Sequence, residues 1–223
     1  MTAKTSAATP DPGESRAAPT RRRAIGIAAG AAAVGFAQAF SPVPTLAQDA
    51  PALVIRPLAE KRIERLPVGP LVWRIETFAS LSEARAAEGP TGLALAAVDR
   101  FWLCTLGPPG GGSQGATKIA EVGPVPEFAA PRYLLRINQA TGQPGSVTPV
   151  HTHPGSEAFY VIAGETSQRT PHGVMRVRQG EVIAGHGADV PMQVSSTGAT
   201  DLLSLVMFVV DATKPFSQPA TMP

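Results

Sequence analysis

The chain has 223 residues, of which 43% are hydrophobic and 16% charged, and this composition excludes a wholly disordered protein. Its 23 prolines and 22 glycines favour short strands and many turns over a helix bundle. The formal net charge of +2 comes from residues 1–47, because the rest of the chain holds 14 basic and 15 acidic side chains. Without a basic stripe, the sequence predicts no nucleic-acid partner.

Residues 1–47 have the three-part order of a secretory signal. Basic residues at 21–23 precede an apolar run at 24–37, and the small residues Thr45 and Ala47 suit the −3 and −1 positions of a peptidase site. The run is shorter than the roughly 20 residues that span a bilayer, which disfavours the alternative of a retained membrane tether. The paired arginines resemble a twin-arginine export signal. We therefore expect cleavage after Ala47, a periplasmic or secreted mature chain, and contact with a membrane only during export.

From residue 48 onwards, short apolar segments alternate with turn residues, which predicts a mostly β fold. One short helix is expected, because Ser80 can cap it, Glu83 follows three residues later, and Gly89 and Pro90 stop it. The predicted strand segments lie at residues 54–55, 71–75, 93–95, 133–137, 159–162, 174–178 and 202–210.

Two features in the first half of the mature chain predict structure rather than chemistry. Residues 107–115 are rich in glycine but lack the Gly-Lys-Ser/Thr ending of a phosphate-binding loop, so we expect a surface loop. Cys104 is the sole cysteine of the sequence and can form no intramolecular disulfide. It is expected to be a small buried apolar side chain.

Two histidines and one glutamate are closely spaced in the second half of the chain. Gly145 is followed at fixed intervals by His151, His153, Glu157 and Gly164. Side chains at positions i and i+2 of a strand share a face, so the two imidazoles can point together, and a turn lets Glu157 return its carboxylate from the next strand. Two imidazoles and one carboxylate make a transition-metal site with open positions, the ligand set of non-haem iron enzymes.

At each of these fixed positions, residues 145–164 match the first motif of the cupin superfamily, which the chain resembles here. The resemblance implies a mostly β, double-stranded β-helix (jelly-roll) barrel. It also implies one divalent transition metal (Fe, Mn, Zn, Ni or Cu) on His151, His153 and Glu157. We expect this barrel at residues 130–223, preceded by a section at 48–129 that adds strands and the short helix.

The second cupin motif is altered in this sequence. Met192 stands where the family has its fourth ligand, a histidine. A thioether suits Cu(I) and is a poor ligand for Fe, Mn or Zn, so Met192 is expected to be a weak or substituted fourth ligand. A rearranged loop would let His186 take that place, and an ordinary loop histidine is the alternative. We assign no role to His172.

These features predict an exported cupin that binds one divalent metal and a small organic molecule. Oxygenase chemistry on a small organic acid or phenol is the first enzymatic candidate, and isomerase or lyase chemistry is the second; no catalytic residue is assigned. Tyr160 lies an odd number of positions from Glu157 and should face away from it. The competing interpretation is a non-catalytic periplasmic protein for small-molecule binding or sensing. A homodimer is one oligomeric state left open.

Overall fold

The computed structural model describes residues 50–223, so the predicted export signal and the cleavage site after Ala47 lie outside the described residues. The described part is mostly β with one short helix, as predicted. No helix in it is long and apolar enough to cross a bilayer. The elements in chain order are β1 (Val54–Ile63), β2 (Val72–Phe78), α1 (Leu81–Ala86), β3 (Gly92–Ala97), β4 (Arg100–Gly107), β5 (Thr117–Val122), β6 (Tyr133–Gly142), β7 (His151–Thr152), β8 (Gly155–Ala163), β9 (Glu165–Thr170), β10 (Gly173–Arg178), β11 (Val182–Ile183), β12 (Gln193–Ser196), β13 (Leu202–Asp211) and β14 (Gln218–Pro219).

The eight consecutive strands β6 to β13 form two sheets in jelly-roll order. One sheet runs β6-β13-β8-β11 and the other β10-β9-β12, with β7 joined to β12 through an antiparallel bridge between His151 and Met192. Numbered from one to eight, these strands have the orders 1-8-3-6 and 5-4-7-2, which two interleaved Greek keys produce. The predicted double-stranded β-helix (jelly-roll) barrel is therefore confirmed. Strand β1 extends the first sheet beside β6.

The two faces of the first barrel sheet pack against different partners. The inward face carries Phe159, Val206 and Phe208 into the barrel core. The outward face carries Ile137 and Met207, among others, into a second core shared with residues of β2 to β5. Each such fully buried side chain contributes about 1.5–3 kcal/mol of transfer free energy. The alternation of strand residues thus lets one sheet serve two cores.

The N-terminal section forms a four-stranded sheet of order β3-β4-β2-β5. Its helix α1 begins as predicted, since the Ser80 hydroxyl accepts a hydrogen bond from the Glu83 backbone N–H at 3.2 Å. Tyr160 packs from the barrel against Trp102 of β4, with ring centroids 6.1 Å apart, so it faces away from the barrel interior as predicted. Cys104 is fully buried, and burial raises the pKa of its thiol to about 12, so it is the inert side chain expected.

The glycine-rich loop at 107–115 is anchored to β2. Ser113 donates both its backbone N–H and its hydroxyl to the Glu76 carboxylate, each at 2.8 Å. Gly111 lies so close to Arg74 that a Cβ there would stand 2.2 Å from a guanidinium nitrogen. A larger residue at this position would displace the Arg74 guanidinium, because the loop crosses over the Arg74–Glu76 ion pair.

Candidate metal centre

The structure brings together the three side chains predicted as metal ligands. His151 lies on β7, His153 follows that strand directly, and Glu157 lies on β8 after the turn. One ligand atom from each residue lies within 4.8 Å of the others. His153 and Glu157 are buried, at 3% and 2% exposure, while His151 is partly exposed. The site therefore has a buried side and a side open to approach.

Backbone carbonyls fix the orientation of both imidazoles. Nδ1 of His151 lies 2.8 Å from the carbonyl of Pro149, and Nδ1 of His153 lies 2.6 Å from the carbonyl of Phe216. Because a carbonyl oxygen can only accept, each Nδ1 must carry the hydrogen and donate it. The Nε2 lone pairs are left free, which is how metal-binding histidines are held in proteins.

The Glu157 carboxylate is buried with too few partners for an anion. It accepts one hydrogen bond, from Nε2 of Gln168 at 2.6 Å. Nε2 of His153 stands 3.7 Å from its other oxygen, too far for a hydrogen bond. Burial raises the pKa of Glu157 to about 8, although the Gln168 bond opposes this. Burial also lowers the pKa of His153 to about 4, so this imidazole is neutral at pH 7 and supplies no compensating charge.

The residues present fit a divalent metal ion. An ion about 2.1 Å from each ligand atom fits between atoms up to about 4.2 Å apart. The 3.7 Å separation of His153 Nε2 from Glu157 Oε2 lies within that span, and the three ligand atoms, within 4.8 Å of one another, need to move by about half an ångström at most to meet it. Two neutral imidazoles supply nitrogen lone pairs, and the carboxylate supplies the negative charge that a cation balances. The donor set suits a transition metal.

Met192, the residue in place of the family's fourth ligand, lies beside the triad. Its backbone exchanges two hydrogen bonds with that of His151, at 3.0 and 2.8 Å, and its side chain is buried. Its sulfur stands 3.5 Å from Nε2 of Gln168, the group that binds Glu157. His186 lies elsewhere, half-buried, with its ring centroid 5.9 Å from that of His172. The altered motif therefore brings a methionine to the site, and its loop histidine pairs with His172.

The loop before Met192 packs on the backbone of the ligand residues. A Cβ on Gly185 would stand 1.3 Å from the carbonyl oxygen of Glu157, so only glycine permits this approach. Asp189 has a φ of 62°, in the left-handed region. Its N–H donates to the carbonyl of His153 at 2.8 Å. This loop holds the two buried ligands in place from outside the barrel.

A cavity of about 360 Å³ opens beside the triad inside the barrel. The C-terminal segment covers one end, since β14 pairs with β7 and the Phe216 ring lies 4.7 Å from the ring of His153, centroid to centroid. The guanidinium of Arg136 stacks on the Phe216 ring, 3.9 Å from its centroid. Apart from the triad, the lining is mostly apolar: Ile55, Asn138, Ala140, Thr148, Pro149, Val150, Phe159, Val194, Val206, Phe208, Phe216, Ser217 and Pro219.

Sequence reasoning missed three residues of this site. Gln168 lies on β9, a polar strand without an apolar run. The one sequence feature that indicates this strand is the turn at Gly164, which a strand is expected to follow. The Phe216 carbonyl contacts His153 across 63 positions of sequence, and no local pattern indicates such a contact. Asn138 lies on β6 among other polar residues, Arg136 and Gln139, so no local pattern distinguishes it.

No protein-family model and no curated protein matches the chain. Among solved structures, the chain is similar to a cupin-like protein from Thermotoga maritima, with 15% identity over 40% of this chain and 65% of that one, at a TM-score of 0.35. It is similar to the DMSP lyase DddQ from Ruegeria pomeroyi, with 21% identity over 39% of this chain and 43% of that one, at a TM-score of 0.34. It is also similar to the polyketide cyclase RemF from Streptomyces resistomycificus, with 19% identity over 40% of this chain and 62% of that one, at a TM-score of 0.34. The match covers less than two thirds of each of these structures.

Two observations define the structural class of this protein: the strand order of the described residues, and the convergence of His151, His153 and Glu157. It is a double-stranded β-helix (jelly-roll) barrel with a candidate metal site of two histidines and one glutamate.

Proposed function

We propose that this chain is exported and that its barrel binds one divalent transition metal beside a small organic molecule. His151, His153 and Glu157 are the metal ligands. The observation that carries the proposal is their convergence on one wall of an apolar cavity of about 360 Å³, with both imidazoles oriented by backbone carbonyls. Export is supported by the basic, apolar and small residues of the first 47 positions.

The chemistry that a divalent ion supplies in such a site is Lewis-acid polarisation or electron transfer, since three protein ligands leave coordination positions free. Two histidines and one carboxylate with free positions are the ligand set of non-haem iron oxygenases. An oxygenase that acts on a small organic acid or phenol is therefore the first reaction class to test.

The residues around the triad prepare the site for this role. Gln168 holds one oxygen of Glu157 and leaves the other free on the side of His153. The rings of Phe208 and Phe216 pack against His153 with centroids 4.9 and 4.7 Å away, and exclude water from it. Electrostatic interactions at the site are strengthened where water is excluded.

One observation favours the second candidate, a non-catalytic binding protein. The buried Met192 sulfur lies beside the triad in place of an imidazole. A soft, weak ligand there lowers the affinity for Fe, Mn or Zn and suits binding without turnover.

The test is the metal content of the mature protein purified from the periplasmic fraction of cells that make the full precursor. We expect an N-terminus at Gln48 and about one metal ion per chain. His153→Ala should lose most of the metal, at least about tenfold in affinity, while circular dichroism stays β-rich. His172→Ala is the matched control, a histidine outside the triad, and should keep its metal.

Oxygen uptake with a panel of small acids and phenols then separates the two candidates. Uptake that His153→Ala abolishes and His172→Ala retains supports an oxygenase, whereas binding without uptake supports the second candidate. Wild-type protein without stoichiometric metal, even after metals are supplied, would contradict both.

A further inference from the structure

The cavity beside the triad contains one polar side chain that the metal site leaves unexplained. Asn138, in the middle of β6, lines the cavity and is 2% exposed. Its Oδ1 atom is buried and has no hydrogen-bond partner within the protein. By contrast, Thr148 in the same lining accepts a hydrogen bond from the backbone N–H of Val194 at 3.0 Å, and Ser217 is exposed. Asn138 is thus a buried amide that lines an apolar cavity and whose Oδ1 has no hydrogen-bond partner within the protein.

The sheet register places Asn138 relative to the metal ligands. Asn138 pairs with Val206, which pairs with Phe159, two residues along β8 from Glu157. With strands about 4.8 Å apart and residues about 3.4 Å apart, the Cα atoms of Asn138 and Glu157 are roughly 12 Å from each other. Their side chains point into the same barrel interior, since inward-facing positions alternate along each strand. The amide and Glu157 therefore line the same cavity at separate positions along one sheet.

The lining restricts what can occupy the space between them. Among the described residues, no Lys or Arg side chain lines the cavity, so a carboxylate or phosphate at the end far from the triad would have no counter-charge. The walls formed by Phe159, Val206 and Phe208 offer no hydrogen bonds, so a polyhydroxylated sugar would lose its hydration without compensation. A compact apolar molecule with a single neutral polar group at its far end suits these walls.

We infer that Asn138 is the specificity-determining residue of this cavity. Its amide group forms a hydrogen bond with a hydroxyl at the far end of a ring-sized apolar ligand, such as a substituted phenol or alcohol, whose other oxygen meets the metal. This inference rests on the proposed metal site for the near end of the ligand. It also explains why the buried amide of Asn138 has an oxygen without a protein partner.

The experiment compares two isosteric probes, 4-(hydroxymethyl)phenol and 4-ethylphenol, by calorimetric titration of the metal-loaded mature protein. The wild type should bind the hydroxymethyl compound about tenfold more tightly, a typical cost of leaving one buried polar group unpaired. Asn138→Leu has a similar volume and no amide, so it should reverse the order. Ser204→Ala is the matched control: it removes another buried acceptor of the same sheet that has no partner and does not line the cavity, and should keep the wild-type order.

Metal content and thermal stability separate failure of this inference from failure of the proposed metal site. Asn138→Leu should keep its metal, and its melting temperature should stay the same or rise, since the amide has no protein partner to lose. A fall of several degrees would assign Asn138 a structural role and overturn the inference. So would an unchanged probe preference in Asn138→Leu, or no binding of either phenol by wild-type protein that holds its metal. Loss of metal from the wild type would instead contradict the proposed function.

Discussion

Two buried glutamates show how differently this fold treats a carboxylate. Glu76, in the N-terminal sheet, and Glu157, in the barrel, are 1% and 2% exposed. Glu76 lies 3.0 Å from Nε of Arg74 and accepts two hydrogen bonds from Ser113. Glu157 accepts one hydrogen bond, from the neutral amide of Gln168.

The difference appears in the pKa of each group. Burial alone would raise the pKa of Glu76, but the hydrogen bonds and charge of Ser113 and Arg74 outweigh it, so the pKa lies below its usual value. At Glu157 burial dominates and raises the pKa to about 8. The first glutamate has its cation inside the protein and supports structure. The second lacks one, which is the state expected of a metal ligand.

The largest effect on stability is expected at Glu76, the carboxylate with an ion-pair partner and two hydrogen bonds. Glu76→Gln removes the charge that faces the largely buried Arg74, so the free energy of unfolding should fall by about 2–3 kcal/mol. Urea unfolding of the metal-free protein measures this change, and metal content should not change. A loss below about 0.5 kcal/mol would show that the pair contributes little.

Glu157, which has no cation beside it, should make the metal-free protein less stable as pH rises. Because the folded-state pKa of Glu157 is raised to about 8, the native state binds its proton more tightly than the unfolded chain, and that stability is lost as pH rises towards 8. His153 acts oppositely but only below its ordinary value of 6.5, since its pKa is lowered to about 4.

Between pH 6.5 and 8 we therefore expect the free energy of unfolding to fall by up to about 2 kcal/mol. Urea titrations across this window should show the fall in metal-free wild type and not in Glu157→Gln. Equal slopes in the two proteins would contradict the uncompensated state of Glu157.

A smaller effect is expected at the group that holds Glu157 in place. Gln168→Leu removes the hydrogen bond to Oε1, and loss of such a supporting partner weakens metal binding about 10–100-fold. Competition with a chelator measures the affinity. Gln179→Leu, at an exposed turn, is the control and should bind as wild type does. Equal affinities for the two variants would remove Gln168 from the site.

The smallest effect is expected at the altered motif position. Met192→His places an imidazole beside His151 and should slow the loss of Ni or Zn to a chelator by about tenfold, or about 1.4 kcal/mol. Met192→Leu, which keeps the volume, should behave as wild type for these metals. Faster loss in Met192→His would show that the position does not face the ion.

The triad could be predicted from the sequence because its geometry is local. His151 and His153 are two positions apart, and Glu157 follows one turn later, so strand alternation alone brings them together. The start of α1 at Ser80 was likewise encoded in adjacent residues. The same holds for the outward direction of Tyr160.

The remainder of the site depends on long-range contacts that no local pattern records. Ser113 reaches Glu76 across 37 positions, so the loop predicted at the surface also serves as an anchor. The Phe216 carbonyl accepts a hydrogen bond from His153 across 63 positions of sequence. Strand β9 has a polar sequence without an apolar run, so no local pattern indicates that Gln168 bonds to Glu157.

The central claim, that Glu157 lacks a cation because a metal ion supplies it, is tested most directly by an anomalous diffraction map of metal-loaded crystals collected at the metal's absorption edge. The account predicts one strong peak within about 2.2 Å of Nε2 of His151, Nε2 of His153 and a carboxylate oxygen of Glu157. An empty triad in crystals whose protein carries stoichiometric metal, with the peak at another group, would contradict it.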